Sequence, residues 1–340
     1  MSGRLRVVQW TTGKTGSAAV RGMVGHPVLE LVGCYAYSPD KVGRDVGELC
    51  GIDPLGIVAT DDVDELLALE PDCVSYMPYR PDFDHLVRIL ESGANVVTTM
   101  YMLSGSGYGE EPTRALRDAT LRGESSLYSS GIYPGHAPMV ALSASAMCRR
   151  IDRLAVLESL DISDYANEQM FRAMGFDLTV DDPRAPVALE ASCGSFKDQI
   201  GVMAKALGLR TDEVRFTAEF ATANQTTDLG FMTLERGHIA GFKGVVAGVA
   251  DGRSIIECQF VWKLGEDMTP DWPVTRGYLI EIEGDPDVRV KLESPSGHLD
   301  GATTTAMPCV NAVPAVCAAP PGIVNQMALP FVCGAYLARP

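Results

Sequence analysis

The 340 residues, 46% of them hydrophobic and 21% charged, suffice for two packed domains. Lys and Arg number 28 against 44 Asp and Glu; the formal net charge of −16 repels nucleic acid and anionic lipid, so neither is an expected partner. Nine cysteines without a Cys-x-x-Cys read as reduced, mostly buried thiols of a cytoplasmic protein, not as a disulfide framework or a metal site.

The chain opens with "MSGRLRVVQW", in which the first β-rich run, "RLRVVQW", follows Met1 too closely for a signal peptide. No apolar run approaches the ~18 residues of a membrane span. "GSAAVRGMVGHP" reads as a helix that stops at Gly25 and Pro27. "LELVGCYAY", "CVSYMP", "NVVTT" and "SSLYSSG" read as strands, separated by the helical segments "VDELLALEPD", "PDFDHLVRILESG" and "EPTRALRDATLRGE". Strands alternating with helices imply right-handed βαβ units. The expectation over residues 1–135 is a Rossmann-type, doubly wound parallel sheet.

In "VVQWTTGKTGSAAVRG" the slots of a Gly-x-Gly-x-x-Gly fingerprint hold Thr11, Gly13 and Gly16. The position between first strand and first helix favours a dinucleotide phosphate site over a plain turn. Gly13 admits the phosphates and Gly16 lets the helix pack on the strand. The hydroxyls of Thr11 and Thr12, with Lys14 and Thr15, supply donors and charge. After the second strand, "YAYSPDKVGRD" puts Ser38 where an NAD site carries Asp or Glu, followed by Lys41 and Arg44. A hydroxyl with two cations suits a 2′-phosphate, hence NADP, with NAD as the alternative; Asp40 and Asp45 dilute that charge. Met77, Pro78 and Thr99, at the ends of later strands, complete this edge.

The loop "MYMLSGSGYGEEPTRALRD" is long, rich in glycine and bears Tyr101 and Met102. Its Glu110 and Glu111 either complement the dipole of the following helix or place a carboxylate near the nicotinamide. "SSGIYPGHAPMV" turns at Gly131, Pro134 and Gly135, beside the cofactor or as a connector, and carries His136.

From residue 136 the pattern changes. "LAVLESLDIS", "VRFTAEFAT", "SIIECQFVWKL", "GYLIEIEGD" and "VRVKLES" predict a mostly antiparallel, open sheet with helices such as "SFKDQIGVMAKALGL" on one face. This second, α+β domain spans residues 136–307, and its open face suits a homodimer. "YANEQMFRAMGFD" offers Tyr165, Asn167, Met170, Phe171 and Met174 as core or as an apolar substrate wall, which Trp262 would join. "MPCVNAVPAVCAAPPGIV" predicts a helix over Pro308–Ala319 with Pro314 inside it, opening a segment at residues 308–340.

Together "VVQWTTGKTG", "SPDKVGRDVGELCG", "GIYPGHAP" and "NAVPAVCAAPPGIV" resemble the dihydrodipicolinate-reductase-like oxidoreductases of actinobacteria, which include 2,4-diaminopentanoate dehydrogenase and the native amine dehydrogenases. Relatives carry glycine at the position of Thr11. The paired histidines of dihydrodipicolinate reductase itself are missing; the five histidines here are isolated. The resemblance implies a C-terminal segment that returns to the first domain, where Asn311 either borders the cofactor or pairs with backbone. It also implies a catalytic glutamate, Glu110 or Glu111, that holds the ammonia-derived nitrogen. The expected reaction is NADP-dependent reductive amination of small apolar ketones or aldehydes, needing no metal. A C=O or C=C reductase that uses no ammonia and a non-catalytic NADP(H) sensor are the other readings.

Overall fold

Apolar residues in unbroken short runs specify strands covered on both faces. Strand β1 (Leu5–Trp10) buries its last four residues and passes directly into α1 (Lys14–Met23). There follow β2 (Leu29–Tyr35), α2 (Val46–Leu49), β3 (Ala59–Thr60), α3 (Val63–Leu67), β4 (Cys73–Tyr76), α4 (Phe83–Glu91), β5 (Asn95–Thr98), α5 (Glu110–Arg122) and β6 (Ser126–Ser129). Asp45, Asp62 and Asp82 begin α2, α3 and α4 by accepting backbone N–H groups. The computed structural model describes residues 3–100, 108–297 and 299–338.

The chain then builds α6 (Ala137–Ser145), β7 (Arg150–Asp161), α7 (Glu168–Met174), α8 (Arg184–Ser192) and α9 (Gly194–Ala206). Strands β8 (Glu213–Ala223), β9 (Thr227–Asp228), β10 (Thr233–Leu234), β11 (Ile239–Ala250), β12 (Arg253–Lys263), β13 (Met268–Thr269), β14 (Gly277–Asp285) and β15 (Val288–Leu292) come next. Helices α10 (Gly301–Val310) and α11 (Val313–Cys317) and strand β16 (Gly322–Val324) close it. The chain divides into two units, Met1–His136 with Asp300–Pro340, and Ala137–Leu299.

The first unit is a parallel sheet in the order β16–β6–β5–β4–β1–β2–β3. Val7, Cys34, Cys73 and Val97 pack on one face with Ala18 of α1, Cys309 of α10 and Val313 of α11. Val8, Trp10, Val74 and Tyr76 pack on the other with Leu66, Leu86 and Leu116 of α3, α4 and α5. Each fully buried Val or Leu among them contributes roughly 1.5–3 kcal/mol. The order reverses between β1 and β4, and such a switch point opens a crevice at the strands' carboxyl ends.

The C-terminal segment differs from the expected helix over 308–319. Asp300 starts α10 eight residues earlier than Pro308 (300 against 308), by accepting the Ala302 N–H, and the helix ends at Val310. Gly22 of α1 is the close approach that seats α10, since a Cβ there would lie 2.5 Å from the Met307 sulfur. Pro314 falls in the first turn of α11, where no N–H is missed, so it bends nothing. The second boundary therefore lies at Leu299/Asp300.

The second unit holds a mixed sheet in the order β13–β8–β11–β12–β7–β14–β15. Its pairs are antiparallel except for β12 with β7. Helix α9 covers one face: Phe196 meets the rings of Phe260 and Trp262, and Ile200 fills the space over Gly248. The alternate residues carry ion pairs, Lys243–Glu219, Arg153–Glu257, Arg153–Glu283 and Arg289–Glu281. Among the described residues no helix is long and apolar enough to cross a membrane.

Candidate active site

The turn after β1 is built around a left-handed threonine. Thr11 has φ +71°, a conformation that costs a β-branched residue on the order of 1–2 kcal/mol. Its N–H donates to Tyr35 O at 2.9 Å and its hydroxyl to Met77 O at 3.2 Å, joining the ends of β1, β2 and β4. Gln9 Nε2 holds the Thr11 carbonyl at 3.0 Å. Thr11 thus adopts the conformation a glycine would take. Its hydroxyl is committed to Met77 and does not point to a phosphate as the sequence suggested.

Gly16 is required by contact: a Cβ there would sit 2.2 Å from the Thr11 carbonyl oxygen. A Cβ on Gly13 would meet nothing within 4 Å. Gly13 begins α1 with no side-chain cap, and the first α1 hydrogen bond runs from Ser17 N to Gly13 O. The N–H groups of Thr15 and Gly16 precede that bond and have no intrahelical acceptor, so the positive end of a ten-residue helix suits an anion there. Thr12 Oγ1 is buried with no partner among the described residues. Lys41 Nζ donates to Thr12 O at 3.1 Å and brings a positive charge to the rim. Lys14 is exposed and Thr15 half-buried in the same first turn. An orphaned hydroxyl, an uncapped helix start and a nearby ammonium fit the pyrophosphate of a dinucleotide.

Beyond β2, Ser38 O accepts from Lys41 N and Val42 N, and this turn swings Lys41 back towards Thr12. Ser38 is half-buried and Arg44 exposed. Asp45 is engaged by the backbone of its own loop and stays ionised. The Leu55, Gly47, Gly56 and Glu48 N–H groups converge on its carboxylate and hold its pKa below the usual range.

At the ends of β4 and β5, Met77 is buried and Pro78 and Thr99 half-buried. Cys309 Sγ donates to Thr98 O at 3.2 Å and ties α10 to this edge. Tyr101 and Met102 lie outside the described residues. Glu110 and Glu111 form the exposed first turn of α5, where both complement the helix dipole.

In the turn after β6, Pro134 and Gly135 are buried, and a Cβ on Gly135 would lie 3.1 Å from Ser130 Oγ. His136 N donates to Gly131 O at 2.7 Å, and burial lowers the pKa of its imidazole, keeping it neutral at pH 7. Asn311 ends α10 with its Oδ1 buried and unpartnered among the described residues, so that oxygen does not pair with backbone. Gln326, which no sequence signal marks, donates from Nε2 to Ser130 Oγ at 3.1 Å and leaves Oε1 in the same state as Asn311 Oδ1.

In the second unit, Phe171 and Met174 are buried; Phe171 packs against Phe176 and Phe231 and is core, not substrate wall. Asn167 starts α7, its Oδ1 accepting from Met170 N at 3.0 Å, which engages that side chain. Tyr165 is exposed, and Met170 and Trp262 are half-buried. Trp262 donates from Nε1 to Glu158, a residue the sequence reading missed although its signal is there: a carboxylate in phase with Leu154 and Val156 on β7.

Residues 138–337 match the family model of the 2,4-diaminopentanoate dehydrogenase C-terminal domain. An amine dehydrogenase from Streptomyces virginiae is 30% identical over 96% of each chain. The chain belongs to the dihydrodipicolinate-reductase-like amine dehydrogenase family. It is accordingly an oxidoreductase. A 79-residue stretch, 23% of the chain and 29% of the other, is 34% identical to 4-hydroxy-tetrahydrodipicolinate reductase from Synechococcus elongatus. The amine dehydrogenase structure from Mycobacterium smegmatis shares the fold, with a TM-score of 0.81 over 98% of each chain at 21% identity. The family's C-terminal domain begins at residue 138, just after the second unit opens at Ala137.

Proposed function

We propose that the protein is an NADP-dependent amine dehydrogenase that reductively aminates small apolar ketones or aldehydes with ammonia, and in reverse oxidatively deaminates the amines. The observation that carries this reading is the cradle of the first unit, an uncapped α1 with Lys41 at its rim, in a chain 30% identical to an amine dehydrogenase. When bound, the nicotinamide dinucleotide supplies the hydride.

The α1 N-terminus and Thr12 hold the pyrophosphate, while Ser38, Lys41 and Arg44 receive the 2′-phosphate. Glu110 or Glu111 holds the ammonium-derived nitrogen, stabilises a substrate iminium and relays its protons. Trp262, Met170 and Tyr165 supply apolar surface for a substrate without a second carboxylate. A homodimer paired through the sheet face bearing the Arg153 and Lys243 ion pairs completes the proposal; sedimentation as a monomer would exclude it. The free thiols, nine in all, favour a cytoplasmic setting.

The test is NADPH oxidation with a panel of small ketones, with and without ammonium. Turnover that requires ammonium supports the proposal. Equal turnover in ammonium-free buffer replaces it with a carbonyl or C=C reductase, and tight NADPH binding without any turnover replaces it with a sensor.

A further inference from the structure

Glu158 projects from the middle of β7 onto the face covered by α9 and is 7% exposed. Strand alternation puts it in phase with the fully buried Leu154 and Val156. Its Oε2 accepts the Trp262 indole Nε1–H at 2.6 Å and its Oε1 the Tyr278 hydroxyl at 2.8 Å. The three residues come from neighbouring strands: Glu158 stands opposite Phe260 on β12 and opposite Tyr278 on β14. Trp262 stacks on Phe260 with ring centres 4.3 Å apart and touches Phe196 at 6.0 Å. An indole has one donor and no acceptor, so the acceptor it finds fixes the orientation of its ring.

We propose that Glu158 is a positioning residue for substrate selection: it sets the plane of the Trp262 indole and ties that ring, through Tyr278, to the next strand. The inference rests on the amine dehydrogenase reading, in which Trp262 belongs to the apolar substrate wall. The ionised carboxylate satisfies both donors at once. A protonated carboxyl brings its own proton into competition with that of Tyr278.

Burial pushes the Glu158 carboxyl up to about 7, against the pull of the Tyr278 and Trp262 hydrogen bonds. The groups around it are few. β12 contributes Phe260 and Trp262, and β14 the phenol of Tyr278, which Tyr165 in turn influences. Helix α6 has no ionisable residue between Ala137 and Ser145. Helix α9 turns Phe196 and Ile200 to the sheet, with Asp198 on another side of the helix and Lys197 paired to Glu190 at 2.7 Å.

The test compares wild type, Glu158→Leu, Glu158→Gln and Trp262→Phe as full-length protein. Indole emission of the wild type, followed without cofactor from about pH 5 to about pH 9, is expected to shift with a midpoint near 7 that Glu158→Gln and Trp262→Phe abolish. Glu158→Leu is expected to raise KM for the ketone about tenfold while kcat changes less than about threefold, and Glu158→Gln to restore KM. Emission that titrates unchanged in Glu158→Gln, or a folded Glu158→Leu with wild-type KM, overturns the proposal. If Glu158→Leu does not fold, the emission comparison of wild type with Glu158→Gln decides alone. Wild type lacking ammonium-dependent turnover would sink the amine dehydrogenase reading, whereas wild-type indole emission that does not titrate, with ammonium-dependent turnover intact, would sink only the role of Glu158.

Discussion

Lys41 Nζ donates to the carbonyl oxygen of Thr12 at 3.1 Å, so a cation from beyond the end of β2 is bound to the turn proposed to receive the phosphates. Arg44, three residues on, is exposed, with no such tie among the described residues. The two cations therefore predict different phenotypes. Arg44→Ala should weaken NADPH binding by roughly 1.5–3 kcal/mol and leave NADH binding unchanged. Lys41→Ala should weaken both, NADPH more. Calorimetric titration with each dinucleotide checks this; equal losses for both in Arg44→Ala would remove the 2′-phosphate from this corner.

The glycines of the turn separate folding from binding. A methyl at Gly13 enters open space, so Gly13→Ala should keep stability within about 1 kcal/mol while NADPH affinity falls tenfold or more. A methyl at Gly16 meets the Thr11 carbonyl at 2.2 Å, so Gly16→Ala should cost about 1–3 kcal/mol by pushing α1 off the strand. Urea unfolding alongside calorimetry distinguishes them.

Thr11 supplies a third prediction. Thr11→Gly relieves roughly 1–2 kcal/mol of backbone strain but loses about 1 kcal/mol with the hydroxyl bond to Met77 and gains freedom in the unfolded chain. Net stability should change by less than about 1 kcal/mol. Thr11→Val keeps the strain and strips the Met77 carbonyl of its donor, so it should cost about 1–3 kcal/mol. Urea midpoints in the reverse order would contradict this account of the turn.

The strand and helix on either side of this turn were legible, because β1 is a short β-rich run and α1 carries the small residues Gly16, Ser17, Ala18 and Ala19 on its buried side. The left-handed Thr11 was not, since its conformation is secured by Tyr35 and Met77 from other strands. Strands β3 and β16, with two and three residues, are too short to show periodicity. The start of α10 was written in "LDGATTTAM", with Asp300 as the cap, but Pro308 and Pro314 drew the expected boundary into the helix. Glu158 was legible as a carboxylate in an apolar phase of β7; its meaning was not, because Trp262 and Tyr278 lie 104 and 120 residues further on.

Glu158 also predicts a pH dependence of stability. Its folded pKa is raised from 4.5 to about 7, so between those values the native state binds more protons than the unfolded chain. The contribution is favourable to folding at the acidic end and is lost as pH rises through about 7. Relative to Glu158→Gln, the wild type should lose roughly 2–3 kcal/mol across that window. Denaturant unfolding at its two ends checks this, and parallel curves for the two proteins would refute it.

In the proposed reaction a carboxylate at the start of α5 handles a nitrogen-bearing substrate. The most direct measurement is the ammonium dependence of NADPH oxidation with a small ketone in wild type, Glu110→Gln and Glu111→Gln. Saturable dependence on ammonium is expected in wild type, with a loss of about a hundredfold or more in kcat/KM in one of the two variants. Full activity in both variants, or turnover indifferent to ammonium, would contradict it.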